Sequence, residues 1–164
     1  MPNCKACESS FFHVEIFPNG DVFTCCCDYI KWPIGNILER PFEEVWNSKK
    51  AQLIRRYVLN GEYDKCCYTN LCNWSKPSDN SEYGAGEFKY FKTNIELKEI
   101  MPLPKIVKFC HDVECNVRCI FCRKNLLCNS EEETELLNLK IDTIYLPILK
   151  AAEVVVLNGS GDVL

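Results

Sequence analysis

Histidine is nearly absent from this chain: His13 and His111 are the two in 164 residues. Any metal site built here must draw almost wholly on thiolates, which suit zinc and iron–sulfur clusters. A basic surplus is also lacking. Lys and Arg number 19 against 23 Asp and Glu, for a net charge of −4. That argues against nucleic acid as a partner, because no positive charge is left over to neutralise phosphates. Lys49-Lys50 and Arg55-Arg56 are too short to reverse this, and they read as the solvated face of a helix. No apolar run approaches the roughly 18 residues of a membrane span. The opening MPNCKACESS lacks the basic and then apolar pattern of a secretory leader. The expectation is a cytoplasmic protein with no membrane and no nucleic acid among its partners.

Cysteine, by contrast, is abundant: 13 residues, in a chain that is 47% hydrophobic and 26% charged. Reduced cytosolic thiols, an odd count and three crowded runs (Cys25 to Cys27, Cys66-Cys67, Cys115 to Cys122) fit disulfides poorly. Metal or iron–sulfur ligation fits better.

Along the chain, residues 11–27 read as a β-hairpin around Pro18-Asn19-Gly20-Asp21, because Asn and Gly tolerate positive φ. Alternation on its second strand would put Cys25 and Cys27 on one face and Cys26 on the other. A short helix is expected near Pro41 and a second over 48–60, capped by Ser48 and ended by Gly61. Leu53, Ile54, Tyr57 and Val58 form its expected core stripe, with Arg55 and Arg56 outward. The segment SKPSDNSEYGAGEF marks a linker. This gives three parts: a module at 1–74, a linker at 75–103 and a second unit at 104–164. The second unit reads as strand, loop, helix, strand. LPKIVKFC is the first strand. Ser130 and Glu133 open the helix with a capping box, Pro147 disturbs it, and AEVVVL is the second strand. Such a pair is parallel, with a right-handed crossover. One βαβ unit cannot bury both faces, so the expectation is the front of a longer or truncated protein with little turnover alone.

Between those strands stands ECNVRCIFCRKN, with Cys115, Cys119 and Cys122 spaced C-x3-C-x2-C. A loop at the carboxyl end of a parallel strand is where α/β proteins place their sites. Zinc there would need a fourth ligand from Cys110, His111 or Cys128. The other possibility is a [4Fe–4S] cluster on three thiolates with one iron open.

The pattern C-x3-C-x-F-C, with Phe121 before the last cysteine, resembles the signature of the radical S-adenosylmethionine superfamily. NGSGD at 158–162 resembles the family's second motif, with Ser160, Gly161 and Asp162 in its Gly-Gly-Glu places; Val163 departs from the usual Pro. The resemblance implies that Cys115, Cys119 and Cys122 hold a cluster whose open iron chelates S-adenosylmethionine. Phe121, Ser160, Gly161 and Asp162 would lie on the cofactor side. One electron would cleave the cofactor to a 5′-deoxyadenosyl radical, which abstracts hydrogen from a peptide or small-molecule substrate. An electron donor protein is implied as a second partner.

The first module resembles the SPASM domain, an auxiliary cluster module of the same enzymes. The likeness rests on Cys7, twelve residues, Gly20, four residues, Cys25, and on IGNILERPFEEVWNSKKAQLIRR. Cys66-Cys67-x4-Cys72 departs from the longer pattern, which implies one [4Fe–4S] cluster here. The implied ligands are Cys7, Cys25, Cys72 and one of Cys66 or Cys67, with Cys4 a rival for the first place. Zinc on the same ligands also fits the spacing. Cys26 and Cys27 pack against the cluster or are inert. The expected architecture is therefore a small α+β cluster-binding module, a β-hairpin plus helices, followed by the first βαβ of a partial (β/α)6 radical S-adenosylmethionine barrel. Two [4Fe–4S] clusters and S-adenosylmethionine are the expected cofactors. The competing reading is a non-enzymatic metal module, either an electron carrier or a zinc-stapled interaction domain.

Overall fold

The computed structural model describes residues 7, 9–72, 99–110, 112 and 128–157. Its framework is a mixed α/β arrangement on an open five-stranded sheet, ordered β3-β2-β1-β4-β5. Strands β1 (His13–Ile16), β2 (Asp21–Phe23) and β3 (Gly35–Asn36) form an antiparallel meander. Strands β4 (Ile106–Phe109) and β5 (Val154–Leu157) continue the sheet in parallel. The join is β1 beside β4, also parallel, with His13 opposite Ile106 and Glu15 opposite Lys108.

The expected hairpin is present but shorter. Residues Ser9–Phe12 form a one-turn helix, α1, before β1. The turn closes through Gly20 N–H donating to Phe17 O at 2.9 Å and Phe17 N–H donating to Asp21 O at 3.0 Å. Gly20 alone takes the left-handed conformation, at φ +85°, and Asn19 stays at negative φ. A Cβ at Gly20 would meet Asn36 Oδ1 at 2.5 Å, so glycine is required for space as well as for φ.

The helices begin and end where local chemistry dictates. α2 spans Phe42–Trp46, after Pro41. α3 spans Lys49–Leu59; Ser48 Oγ accepts from Ala51 N–H, and Gly61 follows its end at φ +72°. Its buried stripe is Ala51, Ile54, Arg55 and Val58, one turn-face around from the expected one. Leu53 is exposed and Tyr57 only half-buried. Arg55, expected outward, is fully buried. Its guanidinium lies 4.3 Å over the Trp46 ring, and its Nε–H donates to Ser10 O at 2.9 Å. Burial pulls its pKa down to about 10. The planar guanidinium stacks as an aromatic would, which is how a charged residue enters an apolar stripe. Trp46 in turn donates from Nε1 to Pro102 O at 2.8 Å, tying α2 to the segment before β4.

Between β4 and β5, α5 (Glu131–Lys140) opens with the expected capping box: Glu133 N–H to Ser130 Oγ and Ser130 N–H to Glu133 Oε2. A π turn at Ile141–Tyr145 follows, then α6 (Leu146–Ala151). Pro147 has no N–H to give Thr143 O, and its ring would press on that carbonyl, so the helix widens one turn earlier. Tyr145 emerges from the widened turn and packs edge-on against Phe109, ring centroids 4.6 Å apart. α5 itself buries no residue, and Val154, Val155 and Leu157 of β5 are exposed. No described helix is long and apolar enough to cross a membrane.

The Arg55 stack yields a stability test. Both Arg55 Nη atoms are buried without a hydrogen-bond partner, so its contribution is packing more than charge. Arg55→Ala is expected to cost about 2–3 kcal/mol in urea unfolding. Arg55→Met, which keeps most of the volume and sheds the unpaired charge, should cost about 1 kcal/mol or less. Equal losses would contradict this.

Candidate metal centre

β3 is only two residues long, pairing Asp21 with Asn36 and Val22 with Gly35. On its other side β2 pairs with β1 as far as Phe23, opposite Glu15, and after Phe23 the chain leaves the sheet and turns. Tyr29 and Ile30 N–H groups both donate to Cys26 O, at 2.9 and 3.2 Å. The cysteine triplet therefore sits on a turn and not on a strand, and the expected alternation of Cys25 and Cys27 against Cys26 does not apply. A β-bridge between Ile30 and Cys67 lies alongside. It is extended by Lys31 N–H to Cys66 O at 2.9 Å and Tyr68 N–H to Tyr29 O at 2.8 Å. These bonds hold the Cys66-Cys67 pair, at the end of α4 (Tyr63–Cys66), beside the triplet. Cys72 is drawn back by its N–H to Tyr68 O, and Cys7 by its N–H to Tyr63 Oη at 3.3 Å.

Five thiols thus gather from three stretches of sequence, and their acidities register it. Burial pushes the Cys7 thiol up to about 11; hydrogen bonds from Ser9 pull part of that back, and Cys72 and Cys67 add repulsion. Burial also raises Cys25, followed by repulsion from Cys7, with Cys72 and Cys67 contributing further. Cys66 and Cys67 Sγ lie 3.6 Å apart. Their hydrogen bond lowers Cys66 and raises Cys67, so one proton is shared and Cys66 is the more readily ionised. A buried set of mutually repelling thiols is at rest only when protonated or when a cation binds it.

A second set was not foreseen from the sequence. Among the described residues, Glu15, Cys26 and Cys27 are the group whose ligand atoms all lie within 4.8 Å of one another. Glu15 is buried. Its Oε2 accepts Cys27 N–H at 3.0 Å, and its Oε1 meets Lys108 Nζ at 2.5 Å. Burial opposes the charge on Lys108, but its hydrogen bond to Glu15 and the nearby Cys26 and Cys27 hold its pKa above the ordinary lysine value. The only sequence signal was a carboxylate inside a strand; its partner, Lys108, follows only once the β1–β4 register is known.

The remaining sequence-derived site residues, Cys115, Cys119, Cys122, Phe121, Ser160, Gly161 and Asp162, lie outside the described residues, as do Cys4 and His111. Cys110 closes β4, its N–H donating to Ile16 O at 2.9 Å and its thiol to Asp112 O at 3.6 Å, and Cys128 is exposed.

A family model for SPASM, an iron-sulfur cluster-binding domain, matches residues 4–73. Comparison with curated proteins and with solved structures finds no match. The matched stretch contains every one of the five gathered thiols.

The Glu15–Lys108 pair fixes where the Cys27 backbone sits, so its loss should be felt. Lys108→Met leaves a buried carboxylate without its cation and is expected to cost about 2–3 kcal/mol in urea unfolding. Adding Glu15→Gln should restore most of that. A single-variant cost below about 0.5 kcal/mol would show that the pair is solvated and adds no more than an exposed pair does.

Proposed function

We propose that this chain is an iron–sulfur protein of the radical S-adenosylmethionine type. In this reading Cys7, Cys25, Cys72 and one of the Cys66-Cys67 pair hold a [4Fe–4S] cluster. Either member of that pair is placed to serve: Cys67 acts on Cys7 and Cys25, and Cys7 acts on Cys66. The carrying observation is the convergence of these buried and half-buried thiols within the segment that matches an iron-sulfur cluster-binding domain. Four thiolates and a buried, water-poor setting suit a four-iron cluster, which would supply one-electron redox chemistry.

The same proposal assigns Cys115, Cys119 and Cys122 to a second cluster with an open iron for S-adenosylmethionine, and Phe121, Ser160, Gly161 and Asp162 to the cofactor's surroundings. Support comes from where β4 ends. The β1–β4 ladder runs to Cys110, and the sequence from there leads into the cysteine run before returning through α5 and α6 to the parallel β5. That is the carboxyl end of a parallel strand, the place where α/β sheets carry their chemistry. A peptide or small-molecule substrate and an electron donor protein complete the reading.

Two measurements check it. In protein purified without oxygen, one of the variants Cys66→Ser and Cys67→Ser should lower iron by about four per chain while the other retains it; full iron in both variants and in the double variant would remove the pair from the ligand set. S-adenosylmethionine should alter the EPR spectrum of the reduced protein, and should no longer do so after Cys115, Cys119 and Cys122 are replaced by serine. An unchanged spectrum in the parent protein would leave an electron-carrying or structural metal module instead.

A further inference from the structure

We infer a second metal site, separate from the cluster thiols: Glu15, Cys26 and Cys27 form a mononuclear site for a divalent ion of the zinc class, with Asp28 as its fourth ligand.

The turn after β2 makes this possible. On a strand, adjacent cysteines would point to opposite faces. Here the chain folds back on Cys26 O, and both thiols come within 4.8 Å of a Glu15 oxygen. Asp28 follows directly, its two oxygens 4.0 Å from Cys26 Sγ and 3.8 Å from Cys27 Sγ. Tetrahedral zinc takes thiolates at about 2.3 Å and carboxylate oxygens at about 2.0–2.2 Å. Glu15, Cys26 and Cys27 already lie within 4.8 Å of one another, and Asp28, which neighbours both sulfurs, turns its side chain inward to complete the set.

The carboxylate is already held for the task. Glu15 is buried, and it is oriented by the Cys27 N–H on one oxygen and Lys108 on the other. Each oxygen keeps a lone pair after accepting one hydrogen bond. Such outer contacts are what fix a metal ligand in place. Charge also matches. The two thiolates, Glu15 and Asp28 carry −4 and Lys108 carries +1, so a divalent ion reduces the net charge of the site from −3 to −1, with the exposed Asp28 at the solvent edge. Binding releases the two thiol protons to solvent. Two sulfurs with two oxygens suit zinc better than an iron–sulfur cluster, which is held by thiolates. Cys25 stays outside this set: the ligand atoms within 4.8 Å of one another are those of Glu15, Cys26 and Cys27. The triplet therefore divides between two neighbouring centres.

The test uses the full chain, purified without oxygen, exposed to zinc and passed over a chelating resin. The expected result is about one zinc per chain, with X-ray absorption showing two sulfur and two oxygen neighbours. Cys26→Ser/Cys27→Ser should abolish zinc retention while iron and sulfide stay unchanged, which also reports that the protein has folded. Asp28→Ala, a surface change, should weaken zinc retention about tenfold. The inference is overturned if the parent retains no zinc, if the double variant retains as much as the parent, or if zinc has four sulfur neighbours. It is equally overturned if the double variant loses iron, since Cys26 or Cys27 would then serve the cluster. Loss of iron in Cys66→Ser/Cys67→Ser with zinc retained would keep the two centres distinct.

Discussion

The structure depends on four residues of β1 lying parallel to four of β4. His13–Ile16 and Ile106–Phe109 come from opposite sides of the long segment at 73–98, yet they pair in register across their whole length. Parallel pairing at the centre of a sheet requires cover on both faces. That requirement explains why Phe11, Val14, Ile16, Val107 and Phe109 belong to one core with Trp46, Ile54 and Tyr145. It also explains the cross-strand pair of Glu15 with Lys108. A buried carboxylate on β1 is tolerated because the facing position on β4 delivers a cation.

From that sheet the metal chemistry follows as a matter of where strands stop. β2 ends at Phe23, opposite Glu15, and the cysteine triplet follows in a turn instead of lying flat. The Ile30–Cys67 bridge then lays the Cys66-Cys67 segment against the turn, and Tyr63 and Tyr68 bring in Cys7 and Cys72. The apolar core supplies the scaffold, and a metal would take the place of the protons that the crowded thiols otherwise keep. A small module of this kind gains folding energy from its ligand.

Much of the fold was legible because its signals are local. Ser48 and the Ser130–Glu133 box announce helix starts through their own side chains, Gly61 and Gly20 mark positions that need positive φ, and Pro147 marks a helix that cannot continue regularly. The five gathered thiols were also legible as a group, from spacing and the resemblance it carried. What stayed hidden is non-local. Arg55 is charged and adjoins another arginine, so a solvated face was the natural reading; only Trp46 beside it makes burial favourable. The strand alternation assigned to Cys25, Cys26 and Cys27 failed because β2 ends at Phe23 and the chain turns back on Cys26 O through the Tyr29 and Ile30 N–H groups. Glu15 could not be seen as a metal ligand without the turn that brings the thiols to it.

The most direct test of the central claim is a count of iron, acid-labile sulfide and zinc per chain. It should be made on protein purified without oxygen in which Cys115, Cys119 and Cys122 are replaced by serine, so that the gathered thiols of residues 4–73 are read in isolation. The account predicts about four irons with about four sulfides. Zinc bound to those thiols, with no sulfide and with no iron taken up on reconstitution, would contradict it.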